Sequence, residues 1–117
     1  GVMTNPSMNS SGIDHPQLID LITRDGDIVR LVLVEQRVLT EDNAAALQDK
    51  LNNYLGFIIN GTLHTDYPES QGKTVRIRLE LTMEPDSFVH EFLNLYGVAI
   101  AEYDIALEVC LNGEVII

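Results

Sequence analysis

Apolar and polar side chains alternate without a break between Thr74 and Met83. The apolar set is Val75, Ile77, Leu79, Leu81 and Met83, and the polar set is Thr74, Arg76, Arg78, Glu80 and Thr82. Because successive side chains of a strand point to opposite faces, this alternation predicts a β-strand with one buried face and one solvated face. The fold therefore contains a sheet that is covered on one side.

Two further strands are predicted upstream, at residues 18–23 and 28–34. Asp25-Gly26 lies between them and suits the positive φ angles of a type I′ hairpin turn. The second of these segments is apolar on both faces, which is typical of an interior strand or of one whose outer face meets something. Residues 105–111 alternate again, and Asn112-Gly113 predicts a turn into a short fifth strand at 114–117.

Two stretches have helical spacing instead. The first is predicted over residues 41–60, with Thr40 as its N-cap and Gly61 after its last turn. Its apolar stripe consists of Ala44, Leu47, Leu51, Tyr54, Leu55 and Ile58. The second begins at Asp86 or Ser87, and Gly97 is expected to bend or shorten it. Its stripe consists of Val89, Phe92, Leu93, Tyr96 and Ile100. Residues 62–73, between the first helix and the alternating strand, are predicted to form a loop.

The element order is therefore β-β-α-β-α-β, with a possible final β. This order predicts an α+β two-layer sandwich, with two helices on one face of a four- or five-stranded mixed sheet. The first twelve of the 117 residues carry no charge and offer little to bury. We expect residues 1–16 to form a flexible N-terminal arm and residues 17–117 to form a single α+β domain.

Charge and cysteine content narrow the function classes. Seven Lys and Arg residues stand against eighteen Asp and Glu residues, which gives a net charge of −11. Such a chain repels phosphates, so neither a nucleic acid nor a membrane is an expected partner. The acidity favours solubility or attraction to a basic partner. The single cysteine, Cys110, and the lack of a signal peptide predict a reducing, cytoplasmic setting.

The run LQDKLNNYLGFI at residues 47–58 is followed by Gly61, Leu63, Tyr67-Pro68 and Gly72-Lys73. With the segment IDLI at residues 19–22, this set resembles a family of small bacterial proteins known only as a domain of unknown function. The resemblance extends over about residues 18–109 and implies the same fold. It implies no catalytic residue. The chain differs from the family at Glu102-Tyr103-Asp104, where a glycine is expected to open the last strand.

No catalytic, metal-binding or cofactor site is expected from the residue pattern. His64 and Asp66 have a spacing that can supply two metal ligands, but a site needs three or four. Tyr67 follows in the same loop, where it either packs over the end of the sheet or is exposed as a contact. These three residues make residues 62–73 the candidate ligand or contact loop. A small-molecule-binding protein or enzyme that uses this loop is the alternative function.

The face of the sheet away from the helices is the candidate interface. Its predicted members are Ile28, Arg30, Val32, Val34, Ala106 and Cys110. Exposed apolar surface of this extent marks contacts, and a second copy of the chain is the simplest cover. The rival cover is the N-terminal arm or the tail at residues 115–117. The leading hypothesis is therefore a homodimeric, non-enzymatic interaction or accessory protein. A sharper form is an inhibitor or immunity-type protein for a basic partner.

Overall fold

The computed structural model of the protein describes residues 19–117. It contains five strands: β1 (Leu21–Asp25), β2 (Ile28–Glu35), β3 (Thr74–Leu81), β4 (Ala106–Leu111) and β5 (Glu114–Val115). Its α-helices are α1 (Ala44–Ile59), α2 (Thr62–Asp66) and α3 (Ser87–Ile100). Single 3₁₀ turns lie at Glu41–Asn43, Pro68–Ser70 and Ala101–Tyr103. The predicted arm at residues 1–16 lies outside the described residues.

The sheet is mixed and follows the chain in the order β1-β2-β3-β4-β5. The central pairs β2/β3 and β3/β4 are parallel, whereas both outer pairs are antiparallel. Each parallel pair is connected through a long helix, and right-handed crossovers place both helices on the same face. The predicted α+β sandwich is therefore confirmed, with β2 as an interior strand.

One apolar cluster fills the space between the long helices and the sheet. Leu31, Leu33, Ile77, Leu79 and Val109 contribute to it from the strands, and each is completely buried. The helices add the fully buried Leu47, Leu51, Val89 and Leu93. Leu55 and Ile58, from the predicted stripe of α1, are only partly buried against this cluster.

The two long helices start at a shared anchor. Thr40 and Asn43 form a capping box in the turn before α1, where Thr40 Oγ1 accepts from the Asp42 amide at 3.2 Å. Asp86 is the N-cap of α3, and its Oδ1 accepts from the Val89 amide at 2.8 Å. The other oxygen of Asp86 accepts from the Glu41 amide at 3.1 Å. One carboxylate thus satisfies free amides at the beginnings of both helices.

Two local predictions are wrong in detail. The hairpin turn is Gly26-Asp27, one residue later than expected, because Asp25 still pairs with Ile28. Of the two turn residues, only Gly26 has a positive φ, of 60°, which is the pattern of a type II′ turn and not of type I′. Residues 62–73 are not simply a loop, because they contain α2 and the turn at Pro68–Ser70.

Gly97 does not shorten α3. The helix continues through Gly97 to Ile100. A β-carbon at Gly97 would lie 3.6 Å from Leu107 Cβ, so the helix lies close against β4. Asp104 then adopts a left-handed conformation with φ of 61°. This is a backbone position that glycine favours and that Asp tolerates, which accounts for an aspartate where the family resemblance led us to expect a glycine.

Candidate functional site

The six predicted interface residues lie on the face of the sheet away from the helices. Pairing aligns Arg30 with Arg76 and Arg76 with Ala106, and it aligns Val34 with Glu80 and Glu80 with Cys110. Ile28 and Val32 alternate with the buried Val29, Leu31 and Leu33 and so share this face. The strand parities were predicted correctly. Whether this face is an interface is a separate question.

Ion pairs cross this face from strand to strand. Glu108 Oε1 accepts from Arg30 Nε at 2.8 Å, and Glu108 Oε2 accepts from Arg76 Nη1 at 2.6 Å. Next to them, Arg78 Nε donates to Glu80 Oε2 at 2.5 Å. Burial alone would raise the pKa of Glu108, but the hydrogen bonds from Arg30 and Arg76 outweigh it and hold that pKa below its usual value. The charges on this face are therefore largely balanced.

The same face exposes less apolar surface than its sequence suggests. Val32 is 5% exposed and Cys110 is completely buried. Burial also raises the pKa of the Cys110 thiol, which keeps it in its less reactive, protonated form. Ile28 and Val34 are half-buried, and Ala106 is exposed. The six predicted interface residues thus expose limited apolar surface, and Leu21 and Val115, which pair with Val32 and Cys110, add exposed apolar area at the two edges of this face.

The candidate loop residues do not converge on one point. His64 Nδ1 lies 2.7 Å from the hydroxyl of the buried Ser70, a bond that holds α2 against the following turn. Asp66 and Tyr67 instead line a cleft of about 560 Å³, whose opposite wall is formed by β1 and the residues before it. Tyr67 is 41% exposed. Within the part of the chain that the structure describes, no group of three or more potential ligands could hold a metal ion.

A buried ionic cluster, which the residue pattern did not predict, ties α1 to the start of β1. Lys50 Nζ lies 2.7 Å from Asp20 Oδ1, and the two side chains are 0% and 2% exposed. The other oxygen of Asp20 accepts from the Val34 amide at 3.0 Å. Tyr54 accepts from the Asp20 amide at 2.9 Å and donates to the Val32 carbonyl at 3.0 Å. Burial raises the pKa of Tyr54 far above its usual value, so its hydroxyl stays protonated.

In this cluster, side chains take over the hydrogen bonding of β2 where its pairing with β1 ends. Pairing of β1 with β2 begins at Leu21 and Val32, so the Asp20 carboxylate receives the Val34 amide beyond the last strand pair. Lys50 balances the charge of that carboxylate inside the protein. The sequence did hold a signal, because Lys50 lies three residues after Leu47 and four before Tyr54, on the buried stripe of α1. An apolar stripe does not reveal it, because lysine is not an apolar residue.

The outer side of α3 carries a second apolar surface that the sequence analysis also missed. Phe88 is 51% exposed, Leu95 is 64% exposed and Val98 is 75% exposed. Spacings of seven and three residues place them along one side of the helix. We call these three residues the α3 patch. They lie opposite the stripe of Val89, Leu93, Tyr96 and Ile100 that α3 buries in the core.

Carboxylates surround the α3 patch. Glu91 is exposed, and its spacing of four residues from Leu95 places it beside the patch. Glu102 is exposed in the 3₁₀ turn that directly follows α3. Residues 79–117 contain no Lys or Arg. They contain eight acidic residues: Glu80, Glu84, Asp86, Glu91, Glu102, Asp104, Glu108 and Glu114. This part of the surface is therefore both apolar and strongly negative.

A family model for a family of unknown function, DUF6572, matches residues 11–113. The chain belongs to this family. The match covers the ionic cluster, the ion pairs on the open sheet face and the α3 patch of this DUF6572 protein. No curated protein and no solved structure matches the chain. No helix within residues 19–117 is long and apolar enough to cross a membrane.

Proposed function

We propose that this DUF6572 protein is a protein-interaction module that binds a partner protein on the α3 patch. The observation that carries the proposal is the exposure of Phe88, Leu95 and Val98 on a helix whose other side lies in the core. A helix that is apolar on both sides is typically covered on both sides. The sheet covers one side of α3, so a partner is expected to cover the other.

The α3 patch has the row of apolar side chains by which helices recognise other proteins. Large apolar side chains at i, i+7 and i+10 present a row of anchors, and such rows insert into grooves or hold a second helix. The patch is also distinct from the ion pairs on the sheet face. It can therefore be altered by mutation without changing the network around Glu108.

Self-association through the open sheet face is a second, separate proposal. Three arginines, Arg30, Arg76 and Arg78, lie beside three carboxylates, Asp25, Glu80 and Glu108, which makes this face nearly neutral in a chain of net charge −11. Two copies repel one another least where such a face meets its equivalent. The exposed Ala106 and the half-buried Ile28 and Val34 would supply the apolar contact.

Small-molecule binding is the second candidate function, and the cleft beside β1 favours it. The cleft combines Tyr67 and Phe57 with the charged side chains of Arg24, Asp66 and Glu69. Apolar walls with a few polar groups are typical of ligand sites. Ligand-induced changes in the NMR signals of Tyr67 and Phe57, absent from those of Leu95, would support this candidate.

Site-specific photocrosslinking tests the α3 patch directly. A photoreactive phenylalanine analogue replaces Leu95 in one variant and Ile59, which is 52% exposed on α1, in the control. In cells that produce the protein naturally, position 95 should give a discrete adduct with another protein. Adding Val98→Asp should abolish that adduct, and position 59 should give none. Equal labelling from both positions, or no adduct from position 95, would overturn the proposal.

A further inference from the structure

We infer that the partner that binds the α3 patch is a cationic amphipathic protein segment, with an apolar row flanked by Lys or Arg side chains. This inference rests on the proposed function and adds the chemistry of the partner. It follows from the charges around the patch and from the shape of the neighbouring surface.

The charges favour a cationic partner. Of the eight acidic residues in residues 79–117, three already have local roles: Glu80 pairs with Arg78, Glu108 pairs with Arg30 and Arg76, and Asp86 caps α3. The remaining five are Glu84, Glu91, Glu102, Asp104 and Glu114, all exposed. None of these five forms an ion pair with a Lys or Arg of residues 19–117. A partner with positive flanks would supply the missing countercharge.

The position of the basic residues strengthens this argument. Arg30, Arg76 and Arg78 lie on the open sheet face, Lys50 is buried, and Lys73 pairs with Asp27 at the hairpin end of the sheet. Lys and Arg are absent from α3 and from everything that follows it in the given sequence. A cationic segment would therefore meet no Lys or Arg side chain from residues 79–117.

The shape favours a segment with protruding apolar side chains. A shallow groove of about 610 Å³ runs between α3 and β4, next to the patch, and Val98 lines it. Gly97 and Leu107 also line it, at the place where α3 lies close against β4. Asp104 lies at the same groove, so an apolar anchor and a basic neighbour could be received side by side.

Two α3 patches do not fit against each other. If two α3 helices packed through Leu95 and Val98, Glu91 and Glu102 of both copies would come together. No Lys or Arg from residues 79–117 of either copy could separate them. Like charges brought together at an interface oppose association. The charges that allow self-association at the sheet face are therefore absent here.

Three synthetic helical peptides test the inference with the full-length protein. They share one leucine face and differ only in the flanking residues, which are Lys and Arg, Gln, or Glu. Titration calorimetry at low salt should give about tenfold or greater preference for the cationic peptide over the Gln peptide, and no binding of the Glu peptide. That preference should decline in 1 M salt, where the screening length falls to about 3 Å.

Matched variants separate a specific site from general attraction to an acidic protein. Leu95→Ser should weaken the cationic peptide about tenfold, whereas Ile59→Ser, at an exposed apolar position on α1, should not. Glu91→Gln with Glu102→Gln should reduce the preference for the cationic peptide. Asp49→Asn, the same kind of charge removal on the surface of α1, should leave it unchanged.

The outcomes distinguish this inference from the proposed function. Equal, Leu95-dependent binding of the cationic and Gln peptides would overturn the cationic partner and leave the α3 patch as a docking surface. The inference would also be overturned if Leu95→Ser left the affinity for the cationic peptide unchanged, or if no peptide bound. Photocrosslinking from position 95 then decides the proposed function by itself.

Discussion

Proteins usually bury apolar side chains and expose charged ones. The two long helices break this rule in opposite ways. Helix α1 places Lys50 inside the protein with no exposed surface. Helix α3 leaves Leu95 and Val98 largely exposed to solvent. Both departures are costly in water, because a charge loses its hydration and apolar surface stays wet.

The buried Lys50 and the exposed α3 patch differ in what they contact. Lys50 meets Asp20, and the same cluster satisfies the Val34 amide and the Val32 carbonyl through Asp20 and Tyr54. The α3 patch projects from the helix surface with most of its area uncovered. A buried charge with fixed partners is typical of a structural element, whereas an uncovered apolar row is typical of a binding surface.

Lys50→Ala should have the largest effect on stability. It would remove the ammonium group that lies 2.7 Å from the buried Asp20 carboxylate, and breaking a buried pair in this way costs about 3–5 kcal/mol. Urea unfolding measures the change. Lys73→Ala is the control, because Lys73 pairs with the 93% exposed side chain of Asp27 at 3.5 Å, and such pairs contribute about 0–1 kcal/mol. Equal midpoints for the two variants would mean that the cluster does not stabilise α1.

Leu93→Ala and Leu95→Ala compare the two sides of α3 within two residues. Leu93 is completely buried, so its truncation should cost about 2–5 kcal/mol. Leu95 is 64% exposed, and its truncation should change the free energy of unfolding by about 0.5 kcal/mol or less. Denaturant titration of both variants checks this. A large loss of stability in Leu95→Ala would show that Leu95 belongs to the core and would remove the basis for the α3 patch.

Glu108→Gln should reveal a smaller, pH-dependent contribution, of about 1 kcal/mol. The pKa of Glu108 is lowered from 4.5 in the folded protein, so the unfolded chain takes up a proton there more readily. Its contribution is therefore complete above pH 4.5 and is lost as the pH falls below that value. Stability measured between pH 7 and pH 3 should decline more steeply in the parent than in Glu108→Gln. Parallel curves would contradict this assignment.

Self-association through the sheet face should change mass and not stability. The parent is expected to sediment as a dimer at high micromolar concentration, and Ala106→Lys should shift it to the monomer. Ala106 is exposed, so the monomer tolerates the longer side chain, whereas Val32 is buried and a charge there would damage the fold itself. Ala45→Lys is the matched control on α1. A parent that stays monomeric refutes the dimer.

The sequence predicted the strands and helices whose apolar residues recur regularly over many positions. It failed where an element has a single buried residue or apolar residues on two sides. The alternation from Thr74 to Leu81 became β3, and the caps Thr40 and Asp86 start the long helices. Helix α2 has five residues with only Leu63 buried. A single buried position has no period, and the glycines and Pro68 around it indicated a loop.

The candidate site was predicted less well, and the reasons are physical. Strand parity correctly grouped Val32 with Cys110, but it does not determine how far the side chains of neighbouring residues cover them. The burial of Lys50 was not predicted, because a lysine is buried only when its partner is near in space, and Asp20 lies thirty positions away in the chain. The α3 patch was overlooked because apolar residues on two sides of a helix do not reveal which side is free.

The carboxylate of Asp86 has a consequence for motion. It holds the first amide of the turn before α1 and a first-turn amide of α3 with its two oxygens. Local unfolding at the start of either helix therefore removes a cap from the other helix. The starts of α1 and α3 are expected to unfold together as one cooperative unit. A partner that displaces the start of α3 would therefore also disturb the start of α1. In native-state hydrogen exchange, the amides of Glu41 and Val89 should share a common opening free energy, and Asp86→Ala should lower it for both.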